Sequence, residues 1–159
     1  MDGVTVRAAG PEDVAAVAAL VERAYAAYLP LLDRRPAPMD DDYVARQAMG
    51  QLFAAAAGSG PAGPVLVGVL VLVDEPGGVL LLDNIAVDPA CQGRGVGQAM
   101  LRWLDGEAAR RGCSAVRLYT NEKMERNIVL YERAGFSETH RGEEAGHRRV
   151  FMARRIQLR

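Results

Sequence analysis

Apolar positions follow two different rhythms along this chain, and the rhythm changes several times. Val14, Val17, Ala18, Val21, Ala24 and Tyr25 recur at the spacing of one helix face, so a helix is predicted to run to about residue 28. Gly10-Pro11-Glu12-Asp13 marks its start with a turn, a proline suited to the first helical turn and acids suited to the positive end of the helix dipole. Residues 65–73 and 79–87 are instead near-continuous apolar runs rich in valine and leucine, separated by a turn containing Glu75-Pro76-Gly77-Gly78. Runs of this length between turn residues predict a hairpin of two strands buried on both faces.

Weaker patterns fill in the rest. Residues 4–8 read as a short strand, and residues 29–42 mix charges with three prolines, which predicts an irregular loop that walls a binding site. A second short helix is expected over residues 42–49. Residues 51–57 are rich in alanine, which favours helix, yet their place before the turn GSGPAGP predicts a strand. Further on, residues 99–110 read as helix, 115–120 as strand, 124–134 as helix, and 136–140 with 148–156 as a final strand pair. The order βααβββαβαββ predicts an α+β domain with a mixed sheet, one domain over residues 1–159.

Composition removes several classes of function. Nineteen basic against twenty acidic side chains give a net charge of -1, so no global field exists to hold nucleic acid. Cys91 and Cys113 are not spaced like metal ligands, and no metal is expected. Two thiols in a chain of 159 residues suit a reducing compartment. The first residues lack the basic-then-apolar pattern of a signal peptide, and the run VLVGVLVLV has half the length needed to span a bilayer. A cytoplasmic protein without a membrane partner is the expectation.

The densest chemistry sits at Gly93-Arg94-Gly95-Val96-Gly97, directly ahead of a helical segment. No Lys-Ser or Lys-Thr pair follows, which excludes a P-loop, and Gln98 or Met100 stands where a dinucleotide fingerprint needs its third small residue. The pattern Gln-x-x-Gly-x-Gly, met by Gln92, Gly95 and Gly97, has two readings. Glycines there let backbone N–H groups turn inward beside a helix N-terminus, a nest suited to pyrophosphate. The same glycines also serve a strand-to-helix turn that needs positive φ angles.

NIAVDPACQGRGVGQAML resembles the acetyl-coenzyme A motif of the GNAT superfamily of N-acetyltransferases, and TNEKMERNIVLYERAGF resembles that superfamily's second signature. The resemblance covers nearly the whole chain and implies an α/β three-layer fold, a central mixed, mostly antiparallel sheet flanked by helices. It implies that Gln92, Gly93, Arg94, Gly95, Val96, Gly97 and Gln98 bind the coenzyme A pyrophosphate, mainly through backbone N–H groups. The strands at 85–87 and 115–120 are expected to run parallel and then splay. The pantetheine arm is expected in that gap against the backbone of Ile85, Ala86 and Val87. Tyr131 matches the family tyrosine near the coenzyme sulfur and is the candidate general acid; its other reading is a core aromatic on an amphipathic helix. Met124 stands where the family pattern has asparagine, and Asn127, on the same helix face, is the inferred substitute. Arg126 and Arg133 are further phosphate candidates or parts of a solvated face.

Asp83 is the candidate general base, with Asn84 beside it to orient acceptor or water; the pair also reads as a strand bulge. Glu122 and Tyr119 are alternative bases. The acceptor pocket is expected between the first two helices with their loop and the final hairpin, near Tyr25, Tyr28, Leu29, Met39, Tyr43 and Tyr119. Asp40-Asp41-Asp42 there either attract a cationic amine or cap the second helix. No serine or cysteine nucleophile elbow is present, and the resemblance implies that acetyl is expected to pass directly from acetyl-coenzyme A to a primary amine of a small molecule, peptide or protein in a ternary complex. By analogy, the apolar strand at 150–156 is an interface for a homodimer. A coenzyme A sensor without turnover, or an interaction module with glycines only for turns, are the competing readings.

Overall fold

A computed structural model describes residues 3–58 and 61–157. Seven strands form one sheet in the order β1-β2-β3-β4-β5-β7-β6, with every neighbour pair antiparallel except β4 and β5. The strands are β1 (Thr5–Ala8), β2 (Leu52–Ala57), β3 (Val65–Glu75), β4 (Val79–Val87), β5 (Ala115–Asn121), β6 (Ser137–Glu144) and β7 (His147–Arg155). Helices α1 (Val14–Ala26) and α2 (Tyr43–Ala48) cover one face; α3 (Val96–Arg110) and α4 (Glu125–Arg133) cover the other.

Each face of the sheet carries its own core. Leu80, Leu82, Val116, Leu118, Val150 and Met152 pack with Met100, Leu101 and Leu104 of α3. On the opposite face Leu52, Ala54, Val69, Val71 and Ala86 pack with Val17, Leu20, Val21 and Ala24 of α1. The central strands are therefore apolar on both sides, which is why residues 65–73 and 79–87 lack alternation. β2 is a strand despite its four consecutive alanines, because β1 and β3 pair with it on both edges. Tertiary pairing overrides alanine's helix preference here. The turn expected at 58–64 lies partly outside the described residues.

Three expectations change. α3 begins at Val96, three residues before the predicted start, because Gly95 takes φ 81° and acts as its N-cap. The final hairpin is longer than predicted: Ala145 and Gly146 both take positive φ, 53° and 81°, and join strands that reach Glu144 and His147. A two-residue turn of that hand matches the strand twist. β6 was hard to read because all eight of its residues are exposed. Lastly, the strand expected as a dimer interface is interior: β7 is paired by β5 and β6, and Val150, Phe151 and Met152 are buried within this chain.

Candidate active site

β4 and β5 pair only from Val79↔Ala115 to Leu82↔Leu118. β4 then runs on to Val87 held by β3 alone, while β5 runs on to Asn121 held by β7. The parallel strands thus splay as expected, leaving one backbone edge of residues 83–87 without a strand partner. The splay coincides with a bulge: Val71 faces Asn84 and Leu72 faces Leu82, so Asp83 is an extra residue on β4. A bulge shifts the inward-outward phase. Leu80 and Leu82 face α3 before it and Ile85 does so after it, while Asp83 and Asn84 are both delivered to the α1–α2 side. The sequence reading of Asp83-Asn84 as a bulge is what the fold contains, and the bulge is what aims both side chains.

Two cavities open at the splay. The larger, about 660 Å³, lies on the α3–α4 side and is lined by Ile85, Ala86, Val87, Gln92, Gly93, Gly95, Val96, Gly97, Gln98, Asn127 and Tyr131, with Tyr25 and Tyr28 at its far wall. Its size is that of a small-molecule site. Gly93 and Gly95 take φ 77° and 81°, a left-handed conformation that opens the loop ahead of α3. Gly97 differs: a Cβ there meets Leu130 at 3.3 Å, so this glycine lets α4 approach α3. Arg94, exposed in the same loop, is not among the residues that line the cleft, whereas Arg126 and Arg133 are. Asn127 lines it from α4, its Nδ2 3.8 Å from Met124 Sδ.

The smaller cavity, about 60 Å³, lies on the α1–α2 side of the splay. Leu32, Pro36, Ala37 and Pro38 of the loop after α1 form one wall, and His147 and Arg149 of β7 form another. Asp83, Asn84, Tyr119 and Tyr25 also line it. Tyr28, expected here, lines the large cleft instead; Leu29 is exposed; Met39 and Tyr43 are buried behind the wall. The reason is the loop, whose two short 3-10 turns, Leu29–Leu31 and Ala37–Asp40, bring its prolines to the cavity.

A side-chain network fixes this cavity. The Tyr25 hydroxyl donates to Asn84 Oδ1 at 2.6 Å, and Asn84 Nδ2 donates to the Tyr43 hydroxyl at 3.3 Å, which donates in turn to the Pro38 carbonyl. That chain ties α1, β4, α2 and the loop together. Asp83 Oδ2 accepts from Arg46 Nη2 at 2.8 Å, and its Oδ1 accepts from the Tyr119 hydroxyl. Arg46 is itself held by Asp41 and Gln51. The acidic triplet caps and braces: Asp42 accepts from the Ala45 amide at 3.0 Å, Asp41 pairs with Arg46 and Asp40 with Arg35.

Tyr131 belongs to the α3–α4 core yet lines both cavities, reaching through the splay. Its ring packs edge-on against Phe136 with centroids 6.0 Å apart, and burial raises its phenol above the usual value, with Tyr28 a smaller cause. Burial likewise raises Tyr25, Tyr43 and Tyr119, the last also through its bond to Asp83. These phenols keep their protons at any working pH. His147 and Arg149, which no sequence pattern singles out, also line the small cavity. Their only signal was the long final hairpin, itself under-read.

The chain's similarities agree with this geometry. The model of the acetyltransferase (GNAT) family matches residues 17–136. A curated relative, the ribosomal protein bS18-alanine N-acetyltransferase of Escherichia coli (strain K12), is 42% identical over 68 residues, 43% of this chain and 43% of that relative's length. Among solved structures, the Escherichia coli ribosomal-protein-S18-alanine N-acetyltransferase superposes with a TM-score of 0.72 at 22% identity, over 98% of this chain and 96% of that one. The PaiA N-acetyltransferase of Thermoplasma acidophilum, in complex with coenzyme A, gives 0.78 at 14% identity, over 96% and 99%. Those two likenesses establish the fold. The family match takes in the glycine-rich loop, the splayed strands and the helix that bears Tyr131, and the chain therefore belongs to the acetyltransferase (GNAT) family.

Proposed function

We propose that this protein is an N-acetyltransferase that moves acetyl from acetyl-coenzyme A to a primary amine within a ternary complex. The observation that carries the reading is the meeting of the two cavities: Tyr25, Ile85 and Tyr131 line both. A donor in the large cleft and an acceptor in the small cavity reach each other only there.

The residues of the large cleft fit the donor. The unpaired edge of residues 85–87 suits an amide-bearing arm added as an extra strand. The opened loop at Gly93 and Gly95, followed by the α3 N-terminus, suits pyrophosphate. Asn127 is the side chain proposed to meet the pantetheine amides. Acetyl-coenzyme A supplies an acetyl group activated as a thioester. As the amine nitrogen bonds to the acyl carbon and the carbon–sulfur bond breaks, one proton leaves nitrogen and one goes to sulfur. Tyr131 is the proposed donor of the second proton, its buried phenol staying protonated until charge grows on sulfur. Asp83 is the proposed destination of the first, reached through Tyr119: the amine gives its proton to the Tyr119 oxygen as that hydroxyl passes its own to Asp83. Asn84, held by two tyrosines, is a rigid wall that positions the amine.

Direct binding tests the reading first. Acetyl-coenzyme A at a hundred times its Kd is expected to stabilise the fold by about 2.7 kcal/mol, read as a rise in melting temperature. A panel of amines should then release free thiol. Absence of any melting shift with saturating acetyl-coenzyme A overturns the proposal.

A further inference from the structure

Arg149 is 8% exposed, a guanidinium drawn into the body of the protein by its place on β7 opposite Asn121. It lies over the Tyr119 ring with Cζ 4.2 Å from the centroid, and it lines the small cavity. Among the described residues, one of its nitrogens is engaged: Nη1 donates to Glu144 Oε1 at 2.6 Å. Nε and Nη2 meet no acceptor among the described residues. The carboxylate that lines this cavity, Asp83, is taken by Arg46 and Tyr119. Arg149 lines the cavity, so these two donors are open to a ligand carboxylate there, a pairing that charge assistance strengthens. Glu144, with a side chain 59% exposed, is a surface group that pairs with Arg149 from outside.

A second arginine and a histidine stand near this mouth. His147 lines the cavity beside Arg149, and the Arg34 side chain lies against the Gly146 backbone, where a Cβ would stand 2.6 Å from its Cζ. Burial, followed by these two arginines, lowers the His147 pKa, so the imidazole stays neutral and keeps a lone pair while the guanidinium supplies the charge.

Resting on the acetyltransferase reading, we infer that Arg149 is the specificity-determining residue of the acceptor site and that the acceptor is a small amine bearing a carboxylate, of the amino-acid type. The planar fork of Nε and Nη2 matches a carboxylate with two parallel hydrogen bonds. The amine of such a molecule then faces the Tyr131 junction. The N-terminus of a polypeptide presents a neutral amide carbonyl in place of that carboxylate and leaves the guanidinium unpaired.

The test uses the full chain with coenzyme A present, and free amino acids paired with their carboxamides and with short peptides of the same N-terminal residue. Binding is read by melting shift and calorimetry, independent of turnover. At least one amino acid is expected to bind on the order of 100-fold tighter than its amide and peptide. Arg149→Gln should remove that preference, and Arg149→Lys should restore part of it. Glu144→Gln, on an exposed side chain, covers the case in which Arg149→Gln does not fold: removing the competing negative charge beside Nη1 should tighten the acid about threefold and leave the amide unchanged. Equal binding of acids and amides, tighter binding of peptides, or no binding of any amino acid overturns the inference. So does an acid preference that survives Arg149→Gln or fails to respond to Glu144→Gln. Loss of coenzyme A binding itself counts instead against the acetyltransferase reading.

Discussion

The two sides of the splay are built by different means. Most of the large cleft comes from two nearly continuous stretches, residues 85–98 and 125–133, with Ala24, Tyr25 and Tyr28 closing it, and much of what it offers is backbone. The small cavity is assembled from side chains brought together across long separations: Tyr25 to Asn84 spans 59 residues, Arg46 to Asp83 spans 37 and Tyr119 to Asp83 spans 36. A backbone site tolerates changes of side chain, because its donors belong to every residue type. A side-chain network fixes shape and charge through a few atoms, so single substitutions there change which acceptor enters. One fold can thus keep its donor while its acceptor varies.

Substitutions that strike one side and spare the other sharpen this contrast. The largest effect is expected at the junction: Tyr131→Phe should lower kcat by about 10²- to 10⁴-fold while calorimetry finds acetyl-coenzyme A affinity within a few-fold. Unchanged turnover removes Tyr131 from the chemistry. Next, on the acceptor side, Asp83→Asn and Tyr119→Phe should each lower kcat about 10- to 100-fold, and the double variant should be little worse than either, as for two members of one relay. Additive losses in steady-state kinetics break that coupling. On the donor side, Gly95→Ala forces a Cβ into φ 81° at the α3 N-cap. The strain, about 1–2 kcal/mol, should weaken acetyl-coenzyme A binding roughly tenfold with little change in acceptor KM. A shift in acceptor KM instead erases the division between the two sides.

The smallest effect at neutral pH concerns the buried phenols. Tyr25, Tyr43, Tyr119 and Tyr131 are all raised above the ordinary phenol value, mainly by burial. Above about pH 10 the unfolded chain loses protons that the folded chain keeps, so this contribution to stability is fully present below pH 10 and is lost as pH rises beyond it. Denaturant melts at stepped pH should show stability falling from there. Tyrosinate absorbance from these four should appear with unfolding rather than before it.

The large cleft was legible because its logic is local. Glycine spacing, the strand before it and the helix after it lie within fifteen residues, and positive φ at Gly93 and Gly95 follows from residue type. The helix bearing Asn127 and Tyr131 showed itself by periodicity. The small cavity was legible only in outline. That a proline-rich loop walls a pocket was readable, yet Tyr28 fell to the other cavity, and His147 and Arg149 came from a hairpin whose exposed, charged strand β6 carries no apolar signal.

Taken alone, the sequence determined element types, the sheet's buried centre and the glycine loop, because those follow from apolar period and allowed backbone angles. Tertiary structure decided the rest. Where β4 and β5 part, which way the Asp83 bulge turns its side chains and which buried arginine faces the cavity depend on strand register. Register is set by contacts between residues dozens of positions apart, which no local pattern encodes.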